Sequence, residues 1–463
     1  MFFNPSTIGF EKGIKIDYFP VNSGHSNIHN IYNYKMKCQI ISIGNELLLG
    51  DTVNTNASWL GRFLAQHGVE VTQAYTISDD LGLIKHTIRQ GMDQADLIIT
   101  TGGLGPTHDD LTKQAVQEIF GAGLVVHQPT LDFIKSVFKK RNIPLTESNY
   151  QQAEVPDNCE VLFNKQGTAP GMWFEEDNRY LAVLPGVPFE MQHLMQHQVL
   201  PKIKAAPGDR EQFVSRYIVT AGIGESTLSD QIIGKLDNFL SEKISVAYLP
   251  GLQGVRIRIT GRGNSEDEAV DYIEPVRSHI YQRAGTYIIG EGEEFTLSEA
   301  VGRALQKQKA SIATAESCTG GMLADQLTNI PGSSNYMRGG VIAYANSVKT
   351  GLLGVREEDL SAYGAVSKAV ALQMAEGVAR QLGADVGVST TGIAGPGGGT
   401  AEKPVGTVWI GYWSHNHHFA LKTLFTNDRI INKERSVAVA LETVRRTILG
   451  IETMPYGLKP QTA

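Results

Sequence analysis

The chain has 463 residues, 41% of them hydrophobic and 19% charged, and its formal net charge is −7. This composition is typical of a folded globular protein rather than a disordered one, and the length predicts two or three domains. The acidic balance provides no basic surface for nucleic acid, and no apolar run reaches the ~20 residues of a membrane span. Three scattered cysteines without paired spacing argue against a disulfide framework or structural zinc. We therefore expect a soluble, cytoplasmic protein.

The first 35 residues show no lasting periodicity, and they lack the basic start and apolar core of a secretory signal. We expect residues 1–35 to be a disordered extension. Met36 directly precedes a strand pattern, so natural translation starting at Met36 remains an open alternative.

The next region, residues 36–206, alternates between strand and helix patterns. The alternating segments are residues 39–43, 54–66, 69–75, 81–92 and 97–100. Alternation of this size predicts a parallel sheet covered by helices, with ligands bound beyond the carboxyl ends of the strands. The segment 184–191, a Pro-Gly-Val-Pro turn that leads into a helix extending to about Val199, is expected to close this domain.

A glycine-rich loop lies at the expected ligand-binding edge. Its candidate phosphate-binding residues are Thr101, Gly102, Gly103, Gly105 and Thr107. Glycines allow the backbone to wrap phosphate oxygens, and the following helix start supplies a positive dipole end.

Nearby carboxylates would repel a bare phosphate, so a bridging divalent metal (Mg²⁺, Mn²⁺ or Co²⁺) is the natural complement. The candidate ligands are Glu46, Asp109 and Asp110. Two plainer interpretations remain open: Asp109 as a helix N-cap and Asp51 as a turn residue.

The middle region, residues 207–289, has strand patterns at 215–220 and 255–260 with an amphipathic segment, 225–236, between them. The alternation of Arg256 and Arg258 with apolar residues predicts that both arginines lie on one exposed face. The segment 251–254 has the Gly-X-X-Gly spacing of a nucleic-acid clamp but follows a proline turn. We interpret this region as a connector and consider nucleic-acid binding unlikely.

The last domain, residues 290–455, contains a strand, tight turn and helix around 314–321, with Ser317 and Cys318 at the turn. Unpaired amides at Gly320 and Gly321 could stabilise an oxyanion beside such a nucleophile. Three alternatives remain open: a serine nucleophile, a cysteine nucleophile with Ser317 as a cap, or a capped helix with a buried cysteine.

A serine nucleophile needs a base. His415, His417 and His418 cluster in what the pattern predicts to be a hairpin tip, a poor position for a catalytic base. Lys349 is the remaining candidate if its pKa is lowered, and Tyr344 could relay the proton or hold the lysine. The plainer interpretations are a solvated helix lysine and a half-buried strand aromatic residue.

Two further elements predict anion binding. A second glycine-rich loop with Thr391, Gly392 and Gly395 follows a strand, and a flexible surface turn is its alternative. Arg429 opens the last helix, where it could bind a phosphate.

These motifs together resemble the CinA (competence/damage-inducible protein) family. The matching segments are Gly44–Asp51, Thr101–Thr107 with Asp109-Asp110, Ala315–Gly321, Tyr344-X-Asn346-X-X-Lys349, Thr391–Pro396 and Lys403–Thr407. The resemblance implies an α/β chain with a molybdopterin-binding-like three-layer domain, a small α+β KH-like domain and a C-terminal α/β CinA domain.

The resemblance also implies chemistry. Ser317, Tyr344 and Lys349 would deamidate nicotinamide mononucleotide to nicotinate mononucleotide and ammonia without a cofactor. The implied substrate-binding set is Thr319, Gly320, Gly321, Thr391, Gly392, Gly395 and Arg429. The N-terminal domain would cleave ADP-ribose with a divalent metal, and the family implies a homodimer. Two alternatives remain: a non-enzymatic competence or recombination partner, and a pterin-nucleotide-binding protein.

Overall fold

The computed structural model describes residues 36–107, 110–206 and 212–462. The expectation for residues 1–35 and the candidate metal ligand Asp109 lie outside this range. Within it, the chain forms two six-stranded sheets, one four-stranded sheet and a two-stranded ribbon.

The first six-stranded sheet belongs to the N-terminal domain. The strands of this domain are β1 (Lys37–Ile43), β2 (Glu70–Ile77), β3 (Leu97–Thr101), β4 (Leu124–Val126), β5 (Glu154–Pro156), β6 (Glu160–Leu162), β7 (Gly171–Glu176) and β8 (Arg179–Leu184). The sheet order is β2-β1-β3-β8-β7-β6, and β4 and β5 form the separate ribbon. Strands β2, β1, β3 and β8 are parallel to one another, as predicted, whereas β7 and β6 add an antiparallel edge.

Helices cover both faces of this sheet and so give the expected three layers. The helices of the domain are α1 (Asn45–Leu49), α2 (Thr55–Gln66), α3 (Leu81–Gln94), α4 (Thr112–Phe120), α5 (Gln128–Arg141), α6 (Glu147–Gln151), α7 (Pro188–Leu194) and α8 (Leu200–Ala205). Alternating side chains of β1 enter different cores: Ile40 packs with Leu60 of α2, and Ile41 packs with Ile84 of α3. The period of two in a buried strand therefore creates two hydrophobic layers.

Two helix boundaries differ from the prediction. α4 begins at Thr112 rather than at residues 109–110. The helix after β8 continues beyond Val199 to Ala205 through a π-helical turn, Met195–Val199. This widened turn precedes Pro201, whose ring nitrogen has no hydrogen to donate.

The middle domain is an antiparallel sheet covered by one long helix. Its elements are β9 (Gln212–Thr220), a π-helix (Thr227–Ile233), β10 (Ile244–Pro250), β11 (Val255–Gly263), α9 (Glu266–Ala284) and β12 (Ile288–Glu291), with strand order β10-β11-β9-β12. Ala269 and Ile273 of α9 pack against Gly261 of β11, where a Cβ would overlap the Ala269 carbonyl. The predicted helix at 225–236 is shorter, because Gly234 leaves it with a positive φ of 76°.

The structure shows where two sequence features of the middle domain lie. The Gly-X-X-Gly segment is the tip of the β10–β11 hairpin, where the Gly251 amide donates to the Gly254 carbonyl at 2.8 Å. It is a closed turn rather than a clamp between helices. Arg256 and Arg258 are half-buried instead of exposed, because β11 lies between β10 and β9 inside the sheet.

The C-terminal domain holds the second six-stranded sheet, ordered β14-β13-β15-β16-β17-β18. Its strands are β13 (Ile312–Glu316), β14 (Met337–Ile342), β15 (Val386–Gly392), β16 (Thr407–Ser414), β17 (His418–Leu424) and β18 (Gln461–Thr462). Its helices are α10 (Leu297–Gln308), α11 (Met322–Thr328), α12 (Asn346–Leu353), α13 (Glu357–Tyr363), α14 (Lys368–Leu382) and α15 (Arg429–Ile448). β14, β13 and β15 run parallel, and the remaining strands are antiparallel.

Polar side chains begin three helices of this domain. Thr296, Ser367 and Asp428 each cap the helix that follows them through a side-chain oxygen. In α12, Asn346 is the first helical residue and Ala345 occupies the N-cap position.

A buried ion network joins the middle and C-terminal domains. Glu442 of α15 bonds to Arg445 at 2.7 Å and to Arg446 at 2.6 Å, and all three side chains are at most 5% exposed. Arg446 also donates to the Ala221 carbonyl and lies over the ring of Tyr287. Burial of charged groups is tolerated here because every charge has a partner. None of the described helices is both long and apolar enough to cross a membrane.

Candidate functional site

The carboxyl ends of β13, β14 and β15 meet at one edge of the C-terminal sheet. Ser317 directly follows β13, Tyr344 follows β14, and Thr391 lies at the end of β15. The Ser317 amide donates to the Thr390 carbonyl at 2.9 Å, which anchors the turn to β15. The parallel arrangement therefore brings distant segments together at the edge where α/β sheets bind ligands.

Lys349 extends from α12 into this edge and reaches Ser317. Its Nζ lies 3.2 Å from Ser317 Oγ, 2.7 Å from the Ala343 carbonyl oxygen and 3.1 Å from the Tyr344 carbonyl oxygen. The lysine is 1% exposed, whereas Ser317 is partly open to solvent. The predicted hydroxyl and amine thus lie within hydrogen-bond distance.

Burial lowers the pKa of Lys349 because the charged ammonium loses its hydration. A neutral amine has two N–H groups and one lone pair. The two carbonyl oxygens can accept both N–H groups, which leaves the lone pair facing Ser317 Oγ. This arrangement suits a general base that removes the hydroxyl proton.

Glu316, which was not predicted from the sequence as a site residue, holds the turn through hydrogen bonds. It is 1% exposed, and its Oε2 accepts from the Thr319 hydroxyl (2.7 Å) and from the amides of Gly321 and Leu323 (both 3.0 Å). Its Oε1 accepts from the Ala324 amide at 2.8 Å. The carboxylate therefore caps the first turn of α11. The signal in the sequence was an acid three to eight residues before the donors it binds.

The hydrogen bonds to Glu316 change which backbone amides could form the predicted oxyanion site. The Gly321 amide already donates to Glu316, so it is not available to a substrate. Among the described residues, the amides of Cys318, Thr319 and Gly320 have no hydrogen-bond acceptor. These are the turn amides nearest to Ser317, and they are the candidates for stabilising negative charge.

Tyr344 contacts Lys349 through its backbone carbonyl oxygen rather than through its phenol. Its side chain is 63% exposed, and its hydroxyl accepts from Arg429 Nη2 at 3.3 Å. Arg429 also donates to the Gly395 carbonyl at 2.9 Å. The phenol and the guanidinium therefore contact each other at the same edge of the C-terminal sheet as Ser317.

Three residues of the predicted substrate-binding set have structural contacts instead. Thr319 is fully buried and bonded to Glu316 and Thr390, and the Thr391 hydroxyl donates to the Ala365 carbonyl at 2.8 Å. Gly392 pairs within the sheet, where a Cβ would lie 2.6 Å from Val408. These residues hold the strand ends in place. The sequence pattern alone could not distinguish this structural role from contact with a ligand.

Lys433, also not selected from the sequence, lies beside the turn. It is one helical turn after Arg429 in α15, and its Nζ would be 3.8 Å from a Cβ at Gly320. The i, i+4 spacing of two cations on one helix face was the available signal. Together they form a positive rim near Ser317.

The structure disfavours Cys318 as the nucleophile. Its side chain is 6% exposed, and burial raises the pKa of the thiol to about 12. A thiol that stays protonated and covered is a poor nucleophile. The three histidines of this domain lie at the predicted hairpin tip, where the amide of Ser414 donates to the carbonyl of His417.

A second candidate site lies at the corresponding edge of the N-terminal sheet. It is a cavity of about 450 Å³ bordered by the glycine-rich loop, Glu46, Asp79 and Asp110. Two buried polar atoms in its lining residues, Ser42 Oγ and Asn56 Oδ1, have no partner in the described structure. Unsatisfied buried groups of this kind are costly and are often explained by a ligand or an ion.

Several donors of the glycine-rich loop are already hydrogen-bonded within the protein. The Thr101 hydroxyl donates to the Pro185 carbonyl, the Gly102 amide donates to the Leu184 carbonyl, and the Thr107 amide donates to Asp110 Oδ2. Within the described chain, only the Gly103, Leu104 and Gly105 amides of this loop lack an acceptor. Fewer loop amides are therefore free to bind an anion than the sequence predicted.

The described residues, which do not include the predicted ligand Asp109, contain no group of three or more clustered His, Cys, Asp or Glu side chains, so the metal site stays a prediction. Asp110 bonds within its own loop through Thr107, and Asp109 is not described. Glu46 and Asp110 nevertheless line the same cavity. Two carboxylates fit a Mg²⁺ ion that takes its other ligands from water and substrate phosphate.

Comparison with family models divides the chain into three matches. Residues 39–205 match the model described as a probable molybdopterin binding domain, and residues 215–290 match the damage-inducible protein CinA KH domain. Residues 294–448 match the CinA C-terminal domain.

Whole-length relatives agree with these matches. A CinA-like protein from Salinibacter ruber is 44% identical over 414 residues, covering 89% of this chain and 100% of the relative. A CinA-like protein from Chloroherpeton thalassium is 41% identical over 421 residues, covering 89% and 99%. Among solved structures, the protein CinA from Thermoplasma acidophilum is 35% identical, with a TM-score of 0.34, and covers 37% of this chain and 98% of that chain. The chain belongs to the CinA family of competence/damage-inducible proteins.

Proposed function

We propose that the C-terminal domain is a cytoplasmic amidohydrolase that converts nicotinamide mononucleotide to nicotinate mononucleotide and ammonia. The observation that carries the proposal is the 3.2 Å contact between Ser317 Oγ and the 1% exposed amine of Lys349. A hydroxyl beside an amine of lowered pKa is the equipment of a serine–lysine hydrolase.

In the acylation step, Ser317 Oγ attacks the carboxamide carbon while neutral Lys349 accepts its proton. The turn amides of Cys318, Thr319 and Gly320 are the candidates to stabilise the oxyanion, and one such donor is typically worth ~3 kcal/mol. When the tetrahedral intermediate collapses, the C–N bond breaks, and Lys349 returns the proton to the leaving ammonia.

Water completes the cycle. It attacks the acyl-enzyme with Lys349 again accepting a proton. The C–O bond to Ser317 then breaks to release the carboxylate product, and Lys349 returns the proton to Ser317 Oγ. No cofactor is needed for either step. Arg429 and Lys433 would bind the substrate phosphate, since Arg429 contacts the second glycine-rich loop and Lys433 lies beside Gly320.

The test is ammonia release from nicotinamide mononucleotide by the full chain. We expect Ser317→Ala and Lys349→Met each to lower the rate by at least about a thousandfold. Cys318→Ala is the matched control, because it alters the adjacent buried side chain and should retain activity within a few fold. Full activity in Ser317→Ala, or loss only in Cys318→Ala, would overturn the proposal.

For the N-terminal domain we propose hydrolysis of ADP-ribose between its two phosphates. The supporting observation is the 450 Å³ cavity that combines free loop amides with unpartnered Ser42 and Asn56 atoms. Gly103, Leu104 and Gly105 amides would bind phosphate oxygens, and the buried Asn56 Oδ1 would accept from a substrate hydroxyl or amine. This cavity would equally suit a pterin nucleotide, which is the second candidate ligand.

A divalent metal would be held by Glu46 and Asp110, and when bound it would neutralise charge on the phosphates. We expect ADP-ribose cleavage to need added Mg²⁺, Mn²⁺ or Co²⁺ and to fall on Glu46→Gln, while ammonia release is unchanged. Metal-independent cleavage, or no cleavage with all three ions, would refute this second activity. A homodimer, implied by the family, stays a prediction that sedimentation can test.

A further inference from the structure

A second cavity of about 430 Å³ lies at the seam between the middle and C-terminal domains. One wall is the tip of the β10–β11 hairpin together with the loop at Ile223. The opposite wall is the end of β17 and the face of α15 at Arg435, and Tyr456 closes one side. The volume is within the range of sites for small molecules, about 300–1,000 Å³.

Contacts on each side of the cavity hold it open. Gln253 at the hairpin tip donates to Gln326 of α11 at 2.8 Å, and the Tyr456 amide donates to the Gly222 carbonyl at 2.6 Å. The buried Arg446 connects the same regions, donating to the Ala221 carbonyl and to Thr453 Oγ1. The cavity is therefore built into the junction rather than left by loose packing.

The lining combines apolar surface with positive charge. Leu424 is 63% exposed and Tyr456 is 46% exposed, although both carry large apolar side chains. Arg435 borders the same space together with one acid, Glu225, whereas the amine of Lys422, another residue of the lining, lies over the ring of Trp409. No hydrogen bond or ion pair involves the Arg435 guanidinium within the described part of the chain.

We propose that this seam cavity binds a nucleoside 5′-monophosphate. Its base would lie against the apolar wall formed by Leu252, Phe425 and Leu458, and its phosphate would pair with Arg435. An arginine matches the geometry of phosphate oxygens through paired N–H donors. The unpaired guanidinium favours an anion over a neutral ligand, and the inference does not rest on either proposed activity.

The occupant would contact a segment that leads directly to the amidase edge. Phe425 precedes Thr426, whose amide and hydroxyl both donate to the fully buried Asn432 Oδ1. The Asn432 amide in turn donates to the Ala394 carbonyl in the second glycine-rich loop. A ligand in the seam could therefore alter the position of Arg429, which lies between these contacts in sequence.

The experiment is hydrogen exchange of the full chain with adenosine 5′-monophosphate as the probe, read peptide by peptide. We expect protection in residues 250–255 and 422–425. Arg435→Glu should weaken the apparent affinity at least about tenfold, since it removes a charged partner of the phosphate. Arg380→Glu is the matched control, because it reverses the charge of an exposed arginine that is paired with Glu376. It should not change the apparent affinity.

Peptide resolution separates this site from the N-terminal cavity. Protection confined to residues 101–107 would mean that the probe binds only at the glycine-rich loop and would overturn the proposal. Protection of the seam that persists unchanged in Arg435→Glu would also overturn it. Leu252→Trp, which fills the cavity without changing charge, should abolish seam protection while the buried Glu442–Arg446 pair keeps the domains joined.

Discussion

Replacing Glu316 with Gln tests whether its carboxylate holds the catalytic turn. The carboxylate accepts four hydrogen bonds, from three backbone amides and one hydroxyl, and it is 1% exposed. A glutamine oxygen can replace only one carboxylate oxygen. With that oxygen kept toward Gly321 and Leu323, the side-chain NH₂ faces the Ala324 N–H, and two donors meet.

The expected cost follows from these contacts. Leaving a buried N–H unsatisfied costs about 1–3 kcal/mol, and removing a negative charge from a helix N-terminus costs about 0.3–2 kcal/mol. We therefore expect Glu316→Gln to destabilise the C-terminal domain by about 2–4 kcal/mol. For a domain of this size, that corresponds to a fall of roughly 5 °C or more in Tm.

The assay is scanning calorimetry of the full chain, with ammonia release at 25 °C as a second measurement. Glu299→Gln is the matched control: Glu299 lies in the first turn of α10, but it is partly exposed and paired with Arg303. An exposed pair contributes at most about 1 kcal/mol. If both variants shift the unfolding temperature equally, the buried carboxylate does not hold the turn and the reasoning fails.

Three further outcomes are expected. Because burial lowers the pKa of Lys349 and the amine acts when neutral, kcat/KM for ammonia release should rise with pH and level off below the ordinary lysine pKa of 10.5, and a rate falling over that range contradicts the assignment. Tyr344→Phe should raise KM up to about tenfold with kcat largely kept, because the carbonyl that binds Lys349 remains, and a thousandfold loss of kcat would instead make the phenol catalytic. Gly103→Ala should abolish ADP-ribose cleavage but not ammonia release, because φ is +65° there and a Cβ would overlap Thr112 Oγ1; equal loss of both activities would indicate general misfolding.

Much of the fold was predictable because local signals and the tertiary structure agree. The strand–turn–helix at 312–328, the helix caps at Thr296, Ser367 and Asp428, and the histidine hairpin all follow from short-range patterns. The alternation of strand and helix patterns in residues 36–206 likewise predicted a parallel sheet covered by helices. The antiparallel edge at β6 and β7 was missed, since pairing direction depends on partners distant in sequence.

The sequence by itself determined which chemical groups this protein carries and which strand ends present them. Ser317, Lys349 and the second glycine-rich loop follow strands whose carboxyl ends share one edge of the C-terminal sheet, and the first glycine-rich loop follows a strand of the N-terminal sheet. It could not determine which donors remain free. Tertiary packing alone decided that Glu316 accepts a hydrogen bond from the Gly321 amide and that Thr319 and Thr391 face inward. It also decided that the amine of Lys349 is buried beside two carbonyl oxygens. Hydrogen-bond partners and burial depend on segments dozens of residues apart, and these set the pKa and the reactivity of each group.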